Sequence, residues 1–296
     1  MVLGLIASLI WGSWPVISKL ATIQNLSAID ITLIRFTIAG IVLFPVLIYK
    51  SISVKMITKK GVLLTIGAGA PYVFLAITGI KYSSSAHFGM IAPSTMLLFS
   101  TIGSVIFFSE SIKPIKAFGI ILILSGVLII GINGIKSIDL RTLFGDIMFA
   151  LCGFLWAYYT LLSKHWCLNS WVSTSLVSVV SCMVCLPILT FNLASIMEKV
   201  SAYDLLVHGI YQGIVVAIVA LYCYSKSVFI LGAAKGAIFA CLVPPFSLIL
   251  GVFFLDESLG KSELIGIICV FSGMILSLEI ISLRRIRHKT TTISRY

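Results

Sequence analysis

Aromatic side chains interrupt long apolar stretches of this sequence at positions where they could line a binding cavity. Trp14 precedes Pro15 in the first stretch, and Trp156 and Tyr159 lie in the sixth. Because tryptophan in membrane proteins is enriched at the lipid–water boundary, an indole in mid-stretch favours an aromatic wall beside a wet cavity. There, the carbonyl freed by a proline is also tolerated. Ordinary helix packing explains the same aromatic residues equally well, so both interpretations stay open.

Arg35 is the one charged residue that stands well inside an apolar stretch. A charge at such a position is costly and is a functional candidate by default. Its guanidinium group could bind a substrate carboxylate through two parallel hydrogen bonds. Arg35 also lies within about two turns of the end of its stretch, so the side chain could instead extend to the membrane surface. The sequence favours neither interpretation.

Other polar or soft side chains fall within the same apolar stretches and complete a candidate lining. For His87, a hydrogen-bonded packing role is favoured over ligand binding, because an unpaired buried imidazole is penalised. A lining with so few polar groups suits an amphipathic or aromatic solute. The predicted substrate-binding residues are Trp14, Arg35, Tyr72, His87, Met90, Trp156, Tyr159, Gln212 and Tyr222.

Groups that could carry enzyme chemistry are scattered along the sequence. The four histidines stand at positions 87, 165, 208 and 288, and no metalloprotease, nucleophile-elbow or phosphate-binding motif is present. Glu110 and Glu257 stand at the ends of apolar stretches, where they are expected to orient hairpins rather than carry protons. The sequence therefore predicts no catalytic residues, no metal site and no cofactor, and it favours neither a redox dithiol nor obligatory proton exchange.

The elements that must position these residues are membrane helices. Hydrophobic residues make up 59% of the chain and charged residues only 10%, whereas a soluble domain carries about a quarter charged residues. The net charge of +11 comes from residues in short loops and the C-terminal tail. We therefore expect this charge to set the membrane topology, not to bind nucleic acid.

Ten apolar stretches are long enough to cross a bilayer, which needs about 20 residues per helix. Fourteen lysines and arginines fall on the side that carries both chain ends, and six fall on the other side. The positive-inside rule then predicts that both termini are cytoplasmic. The predicted spans are roughly 2–22, 28–49, 61–80, 83–109, 115–132, 143–163, 171–191, 205–229, 233–255 and 261–282.

A repeated phrase divides these ten spans into two related halves. The segment "VIFFSESIKPIKAFG" at 105–119 returns as "VFFLDESLGKSELIG" at 252–266, and the shift of 147 residues also places Phe99 on Phe246. A weaker echo places Gly12 on Gly153. Five spans per half is an odd number, so the second half enters the membrane inverted. Inverted repeats are typical of carriers that open alternately to the two sides.

Four segments of the sequence resemble those of a known family. They are the opening "LIWGSWPVISKLA", the second-span "LIRFTIAGIVL", the sixth-span "GFLWAYYTLLSKHW" and the closing "PPFSLILGVFFLDESLGKSELIGIICVFSGMIL". All four resemble EamA-type proteins of the drug/metabolite transporter superfamily. The resemblance implies a 5+5 inverted fold without a cofactor, and movement of small metabolites such as amino acids, often outward. It also implies a cavity lined by spans one, three, four, six, eight and nine. Pro93 departs from the pattern, since it stands four residues earlier than Pro244 does relative to the shared glutamate.

The sequence thus predicts an all-α membrane protein with ten transmembrane helices in two inverted five-helix repeats, residues 1–139 and 140–283, and a basic cytoplasmic tail, 284–296. Its partners would be a small-molecule substrate and the lipid bilayer, with no nucleic acid. The expected function is transport, with amino acids or related compounds as the expected substrates and export as the favoured direction. Broad drug or toxic-solute efflux is the alternative, and an intramembrane enzyme is a remoter one. The compact loops suit a bacterial inner membrane.

Overall fold

The computed structural model describes residues 1–23, 26–83, 85–132, 140–255 and 260–277. Within these ranges the chain is helical, has no strand, and forms ten consecutive helical runs. Each run lies where the sequence predicts a span. They are α1 (Val2–Ile23), α2 (Ala28–Tyr49), α3 (Val54–Met56, Ile57–Gly61, Val62–Ala68 and Ala70–Tyr82), α4 (Ser85–Phe108), α5 (Pro114–Ile132), α6 (Leu140–His165), α7 (Ser170–Lys199), α8 (Ala202–Gly209, Ile210–Ala220 and Leu221–Leu231), α9 (Ala233–Ile238, Phe239–Leu242 and Val243–Leu255) and α10 (Lys261–Ser277).

Five of the helices are long and apolar enough to cross a membrane by themselves. They are Ile29–Tyr49, Ile91–Phe108, Leu140–His165, Ser170–Lys199 and Ala202–Leu231. Four shorter apolar stretches lie in α1, α5, α9 and α10. Large apolar side chains are exposed on the outside of the bundle, including Phe107 (70%) and its counterpart one repeat later, Phe254 (70%). Such a surface is unfavourable in water and matches a lipid environment.

The sequence signals that begin several helices are satisfied in the structure. Ser27 and Asp30 form a reciprocal capping box at the start of α2, with hydrogen bonds of 3.1 and 2.9 Å. Asp30 also binds Lys199 at 2.9 Å and so ties the start of α2 to the end of α7. A buried carboxylate of this kind is tolerated because each of its partners compensates for lost hydration.

Helices α5 and α10 pack closely and antiparallel through glycines. A Cβ atom added at Gly119 would lie 2.7 Å from the carbonyl oxygen of Gly273, and one added at Gly126 would lie 2.7 Å from that of Gly266. The 147-residue shift pairs Gly119 with Gly266 and Gly126 with Gly273. Gly119 therefore meets the counterpart of Gly126, and Gly126 meets the counterpart of Gly119. Contacts exchanged in this way are the pattern found across a two-fold axis.

Helices α1 and α6 show a similar exchange between the two halves. Gly12 of α1 packs on Phe246 and Val243 of α9, whereas Gly153 of α6 packs on Thr95 and the carbonyl oxygen of Ala92 in α4. Each of these glycines thus packs on a helix of the opposite half. When the two repeats are aligned, the α9 residues that Gly12 contacts lie about one turn further along than the α4 residues that Gly153 contacts. This one-turn offset equals the four-residue displacement of Pro93 relative to Pro244, and α4 continues as a helix through Pro93.

Glu110 lies at the end of α4, outside the helical part of the span. Its carboxylate is 3.9 Å from the ammonium group of Lys116, whose side chain is buried. The carboxylate also lies against Gly232, which has a φ of 90° at the turn between α8 and α9. A side chain at this φ is strained, and a Cβ would also meet Glu110. These contacts agree with the expectation that Glu110 orients hairpins.

Three helices are irregular at mid-length. α3 breaks at Gly69, where the backbone is extended and the amide of Ala70 donates a 3.2 Å hydrogen bond to Ser181 of α7. α8 is wound as a π-helix over Ile210–Ala220, and α9 tightens into a 3₁₀-helix over Phe239–Leu242. Irregular helix segments in membrane proteins are tolerated where they are buried in protein or line a cavity, and π segments are frequent at functional sites.

Candidate substrate-binding site

Four aromatic side chains from four helices meet in one cluster. The Trp156 ring of α6 lies 5.1 Å from that of Trp11 in α1 and 4.7 Å from that of Tyr72 in α3, both edge-on. Tyr224 of α8 lies 5.3 Å from Trp11 and 6.1 Å from Trp156. Edge-to-face packing at these distances is favourable. We name Trp11, Tyr72, Trp156 and Tyr224 the aromatic cluster.

Two hydrogen bonds join α1 to the π-helical segment of α8. The indole nitrogen of Trp14 donates to the side-chain oxygen of Gln212 at 2.8 Å, and Gln212 is fully buried. The hydroxyl groups of Ser13 and Tyr211 hydrogen-bond at 2.7 Å. Because these pairs are consecutive on both helices, they fix the rotation of α1 relative to α8.

Arg35 of α2 lies beside the same part of α8. Gly213 allows this approach, because a Cβ there would lie 2.7 Å from Ile38 and 3.4 Å from the carbonyl oxygen of Arg35. The guanidinium carbon lies 5.4 Å from the centre of the Phe36 ring, and the group is within electrostatic range of the phenols of Tyr72 and Tyr211. Its Nε atom is buried and has no hydrogen-bond partner among the described residues. The structure thus places Arg35 inside the bundle, between α3 and α8.

The irregular segments of α3 and α8 supply the residues that surround Arg35. Tyr72 stands in the first turn after the break at Gly69, and Tyr211 and Gln212 stand at the beginning of the π-helical segment. An interrupted helix presents free backbone groups and a terminal dipole to its surroundings. The backbone breaks and the polar side chains are therefore found in the same region.

Buried hydroxyl pairs connect α6 and α8 next to the aromatic cluster. Tyr159 hydrogen-bonds Ser225 at 2.7 Å, and Tyr224 hydrogen-bonds Thr160 at 2.7 Å. Tyr159 and Tyr224 are both fully buried. Their hydroxyl groups are therefore satisfied within the protein, as buried polar groups must be.

The structure brings six of the predicted residues into one region: Trp14, Arg35, Tyr72, Trp156, Tyr159 and Gln212. Tyr222 is in a different place, because its ring stacks on Trp171 at 4.2 Å, near the start of α7. The side chains of His87 and Met90 lie outside the described part of the structure.

Four residues of this region are not among the predicted binding residues: Trp11, for which the sequence favoured Trp14 instead, and Ser13, Tyr211 and Tyr224. The ring that faces Trp156 is that of Trp11, whereas Trp14, three residues further along α1, turns towards Gln212. Tyr211 was detectable as the neighbour of Gln212, but its contact with Ser13 depends on the pairing of α1 with α8. Among the described residues no group of His, Cys, Asp or Glu could hold a metal ion.

Comparison with known proteins agrees with this helical arrangement. A solved structure described as "Crystal structure of protein" superposes with a TM-score of 0.72 over 93% of this chain and 96% of that chain, at 18% sequence identity. At this identity the likeness shows the fold alone. No curated protein sequence matches the chain significantly.

The apolar helices and their exposed apolar surface define a multi-pass helical membrane protein. The EamA-like transporter family matches the chain twice, over residues 1–132 and 143–278. The chain therefore belongs to the EamA-like transporter family and consists of two repeats. The resemblance noted in the sequence is confirmed, and the protein is a membrane transporter of the drug/metabolite type.

Proposed function

We propose that the protein moves a small organic metabolite across the membrane by alternating access. In this proposal all ten helical runs span the bilayer, the repeats 1–139 and 140–283 are inverted, and the site lies between them. The observation that carries the proposal is the exchanged contact of Gly119 with Gly273 and of Gly126 with Gly266 on antiparallel helices.

Exchanged contacts of this kind support a pseudo-two-fold axis that lies in the membrane plane. Two halves related by such an axis can adopt two conformations of similar energy, one open to each side. Helices α2 and α7 occupy corresponding positions in the two halves and also pack antiparallel. Thr37 and Cys182 meet at the middle of this pair, while Asp30 and Lys199 meet at its end. Both helix pairs thus support the same axis.

The substrate would lie against the aromatic cluster and the Trp14–Gln212 pair, with Arg35 at one side. This location is supported by the convergence of α1, α2, α3, α6 and α8 on that region. Tyr222, stacked on Trp171, would then belong to the route between the site and one membrane face. His87 and Met90 remain proposed lining residues of α4.

An amino acid or a related compound is the proposed substrate, and export the proposed direction. The proposed location is the bacterial inner membrane, with both termini and the basic tail, 284–296, in the cytoplasm. The partners in this proposal are the substrate and the lipid bilayer, with no nucleic acid. The protein would be a carrier without catalytic residues or a cofactor.

The test is flux into proteoliposomes that contain the purified full-length chain. We expect saturable uptake of at least one labelled amino acid from a panel, and loss of this uptake in the Trp14→Ala variant. Arg141→Gln, a change of an exposed residue at the start of α6, serves as the control. Absence of saturable flux for every amino acid and for every dye in a parallel panel contradicts the proposed function.

Broad-specificity efflux is the second candidate, and the composition of the aromatic cluster favours it. Four aromatic rings with few fixed polar groups can bind apolar solutes of several shapes. In the same assay, saturable flux of dyes without flux of any amino acid selects this candidate. Flux of amino acids without dye flux selects the first.

A further inference from the structure

The guanidinium group of Arg35 has no anionic partner among the described residues. Asp30 is bound to Lys199 and Glu110 to Lys116. The groups near the Arg35 guanidinium are the Phe36 ring, whose centre is 5.4 Å away, and, within electrostatic range, the neutral phenols of Tyr72 and Tyr211. Within the membrane interior a cation without a counter-charge is costly. The structure therefore contains a half-buried positive charge, with a buried Nε atom, that a bound anion would stabilise.

The backbone of α3 adds to this positive potential. The segment Ala70–Tyr82 begins a new helix after the break at Gly69, and Tyr72 lies in its first turn. A helix start carries a partial positive charge. In this turn the amide of Ala70 is bonded to Ser181 and Pro71 has no amide proton, so the charge comes from the helix dipole and not from a set of free amides. Interrupted helices in transporters direct such starts at anionic groups of their substrates. The start of this helix and Arg35 lie in the same region, since Tyr72 in its first turn is within electrostatic range of Arg35.

Tyr211 is held in place independently of any ligand. Its hydroxyl group hydrogen-bonds Ser13 at 2.7 Å. This bond orients the phenol before an anion arrives, which lowers the entropic cost of binding. The Ser13 hydroxyl donates to the carbonyl oxygen of Ile10 at 2.8 Å, so the Tyr211 hydroxyl donates to Ser13. Tyr211 can donate to an oxyanion if the Ser13 hydroxyl turns from Ile10 and donates to Tyr211 instead, and the Tyr72 hydroxyl is a second candidate donor.

The aromatic cluster begins where this positive region ends. The Tyr72 ring packs against Trp156 at 4.7 Å, and Trp156 packs against Trp11 at 5.1 Å. Tyr72 therefore has its ring in the apolar cluster and lies within electrostatic range of Arg35. Among the described residues, none of the contacts of Trp11, Trp156 or Tyr224 is with a carboxylate. The site thus has a cationic end and an apolar end, and it lacks a described anionic group for an ammonium ion.

We infer that Arg35, Tyr72 and Tyr211 bind the carboxylate of the transported molecule, and that an amino group is not required for recognition. The substrate class is then that of organic carboxylates with an aromatic or branched apolar body, of which amino acids are only one kind. This inference rests on the proposed transport function and refines its substrate. It assigns Tyr211 and Ser13 as specificity-determining residues that the sequence did not indicate.

The test compares ligands that differ in one charged group at a time. Quenching of tryptophan fluorescence in the purified full-length protein is titrated with 3-phenylpropanoate, L-phenylalanine, L-phenylalaninamide and 2-phenylethylamine. A second series uses 4-methylpentanoate, L-leucine, L-leucinamide and 3-methylbutylamine. We expect the acid and the amino acid of at least one series to bind within about threefold of each other. The amide and the amine of that series should bind at least tenfold more weakly, since loss of a charge-assisted hydrogen bond costs about that much or more.

Variants connect this preference to Arg35. Arg35→Gln should abolish the difference between acid and amine, and Arg35→Lys should restore part of it, because lysine keeps the charge but loses the fork geometry. Tyr211→Phe should weaken binding of the acid by about tenfold and leave binding of the amine unchanged. Arg141→Gln, in which an exposed arginine over the Tyr82 ring is replaced, is the matched control. Equal elution profiles and thermal stabilities of the variants establish that the protein is folded.

Several results would overturn the inference. They are binding of the amine as tight as that of the acid, absence of binding in both series, and an acid preference that persists in Arg35→Gln. Saturable counterflow of the amine in proteoliposomes, together with no acid preference, would remove the carboxylate site while leaving the transport function intact. Failure of the transport function is recognised separately, by the absence of flux for both the amino acid panel and the dye panel.

Discussion

Trp14 and Gln212 form a polar pair in an otherwise apolar region, and this pair explains why an indole stands at this position of α1. Gln212 is fully buried, so its amide oxygen needs a donor, and Trp14 provides one at 2.8 Å. Replacing the donor removes this hydrogen bond from a fully buried amide, and weakening the bonding of a buried polar group is costly.

The Trp14 indole can be tested in two steps. Trp14→Phe removes the N–H group and keeps a ring, and it should lower the rate of transport by about tenfold through misplacement of Gln212. Trp14→Ala should have a larger effect because it also removes the ring. Initial rates in proteoliposomes measure both, and normal membrane insertion is checked by protein recovery. Wild-type rates in both variants would remove Trp14 from the site.

Tyr159 and Ser225 form a buried pair whose contribution is to stability. Tyr159→Phe should lower the free energy of unfolding by about 0.5–1 kcal/mol, the usual value for a hydrogen bond between membrane helices. Ser225 also donates to the carbonyl oxygen of Leu221 at 2.7 Å, so it stays satisfied in the variant. A double-mutant cycle with Ser225→Ala, measured by thermal unfolding in detergent, gives the coupling energy. A coupling energy of zero would contradict the role of this bond.

At the scale of the elements, glycines decide how closely α5 and α10 approach. A Cβ atom at Gly126 would lie 2.7 Å from the carbonyl oxygen of Gly266 and 2.8 Å from the Cβ of Cys269. A Cβ at Gly273 would meet the backbone of Gly119 and Ile123 in the same manner. Small residues at such contacts allow membrane helices to pack by van der Waals attraction.

We therefore predict that Gly126→Ala and Gly273→Ala destabilise the protein by similar amounts, about 1–3 kcal/mol each, because the added methyl group forces the helices apart. Gly89→Ala in α4 is the matched control, since a Cβ there meets nothing within 4 Å. The control should be neutral or slightly stabilising, because alanine favours the helix. Thermal unfolding in detergent measures all three. Unequal losses at Gly126 and Gly273 would speak against their equivalence in the two repeats.

The breaks in α3 and α8 position backbone and side-chain groups in the candidate binding site. A regular α3 would continue past Gly69 and would place no helix start near Tyr72. A Cβ at Gly69 would lie 2.5 Å from Ser181 and 2.6 Å from Thr65, so close packing against α7 also requires this glycine. The break is thus built from Gly69 and from Pro71 two residues later, which has no amide proton to donate.

At the scale of the whole molecule, the two repeats must lie in the membrane in opposite senses if the protein is a carrier. Contacts already join helix ends that the ten-span topology puts on one side. Arg141 lies over the Tyr82 ring at 5.8 Å, and Lys60 lies over the Trp166 ring at 5.1 Å. Glu110 at the end of α4 also lies against Gly232 at the turn between α8 and α9, and the ten-span topology puts these two helix ends on one side as well.

Reporter tags inserted after residues 112 and 259 should therefore appear on opposite membrane faces. These positions follow Glu110 and Glu257, which correspond in the two repeats. The first tag is expected in the cytoplasm together with tags at both termini. Protease protection in intact and opened vesicles measures the location. Two tags on the same face would contradict the inverted arrangement and, with it, alternating access between repeats.

The sequence by itself determined the class of protein, the approximate limits of its helices and the relation between its halves. These follow from local properties: the length of each apolar stretch, the capping residues such as Ser27 and Asp30, and the repeated phrase that ends at Gly119 and Gly266. Apolar length reports a helix because a chain in lipid must satisfy its own backbone hydrogen bonds. The tertiary structure decided which side chains meet. Trp11 rather than Trp14 faces Trp156, and Tyr211 reaches Ser13, because these contacts depend on how each helix is rotated about its axis. In a helix that is apolar on every side, the sequence carries no amphipathic pattern that fixes this rotation. Only close packing at glycines and polar pairs between helices fixes it, and both require the neighbouring helix to be present.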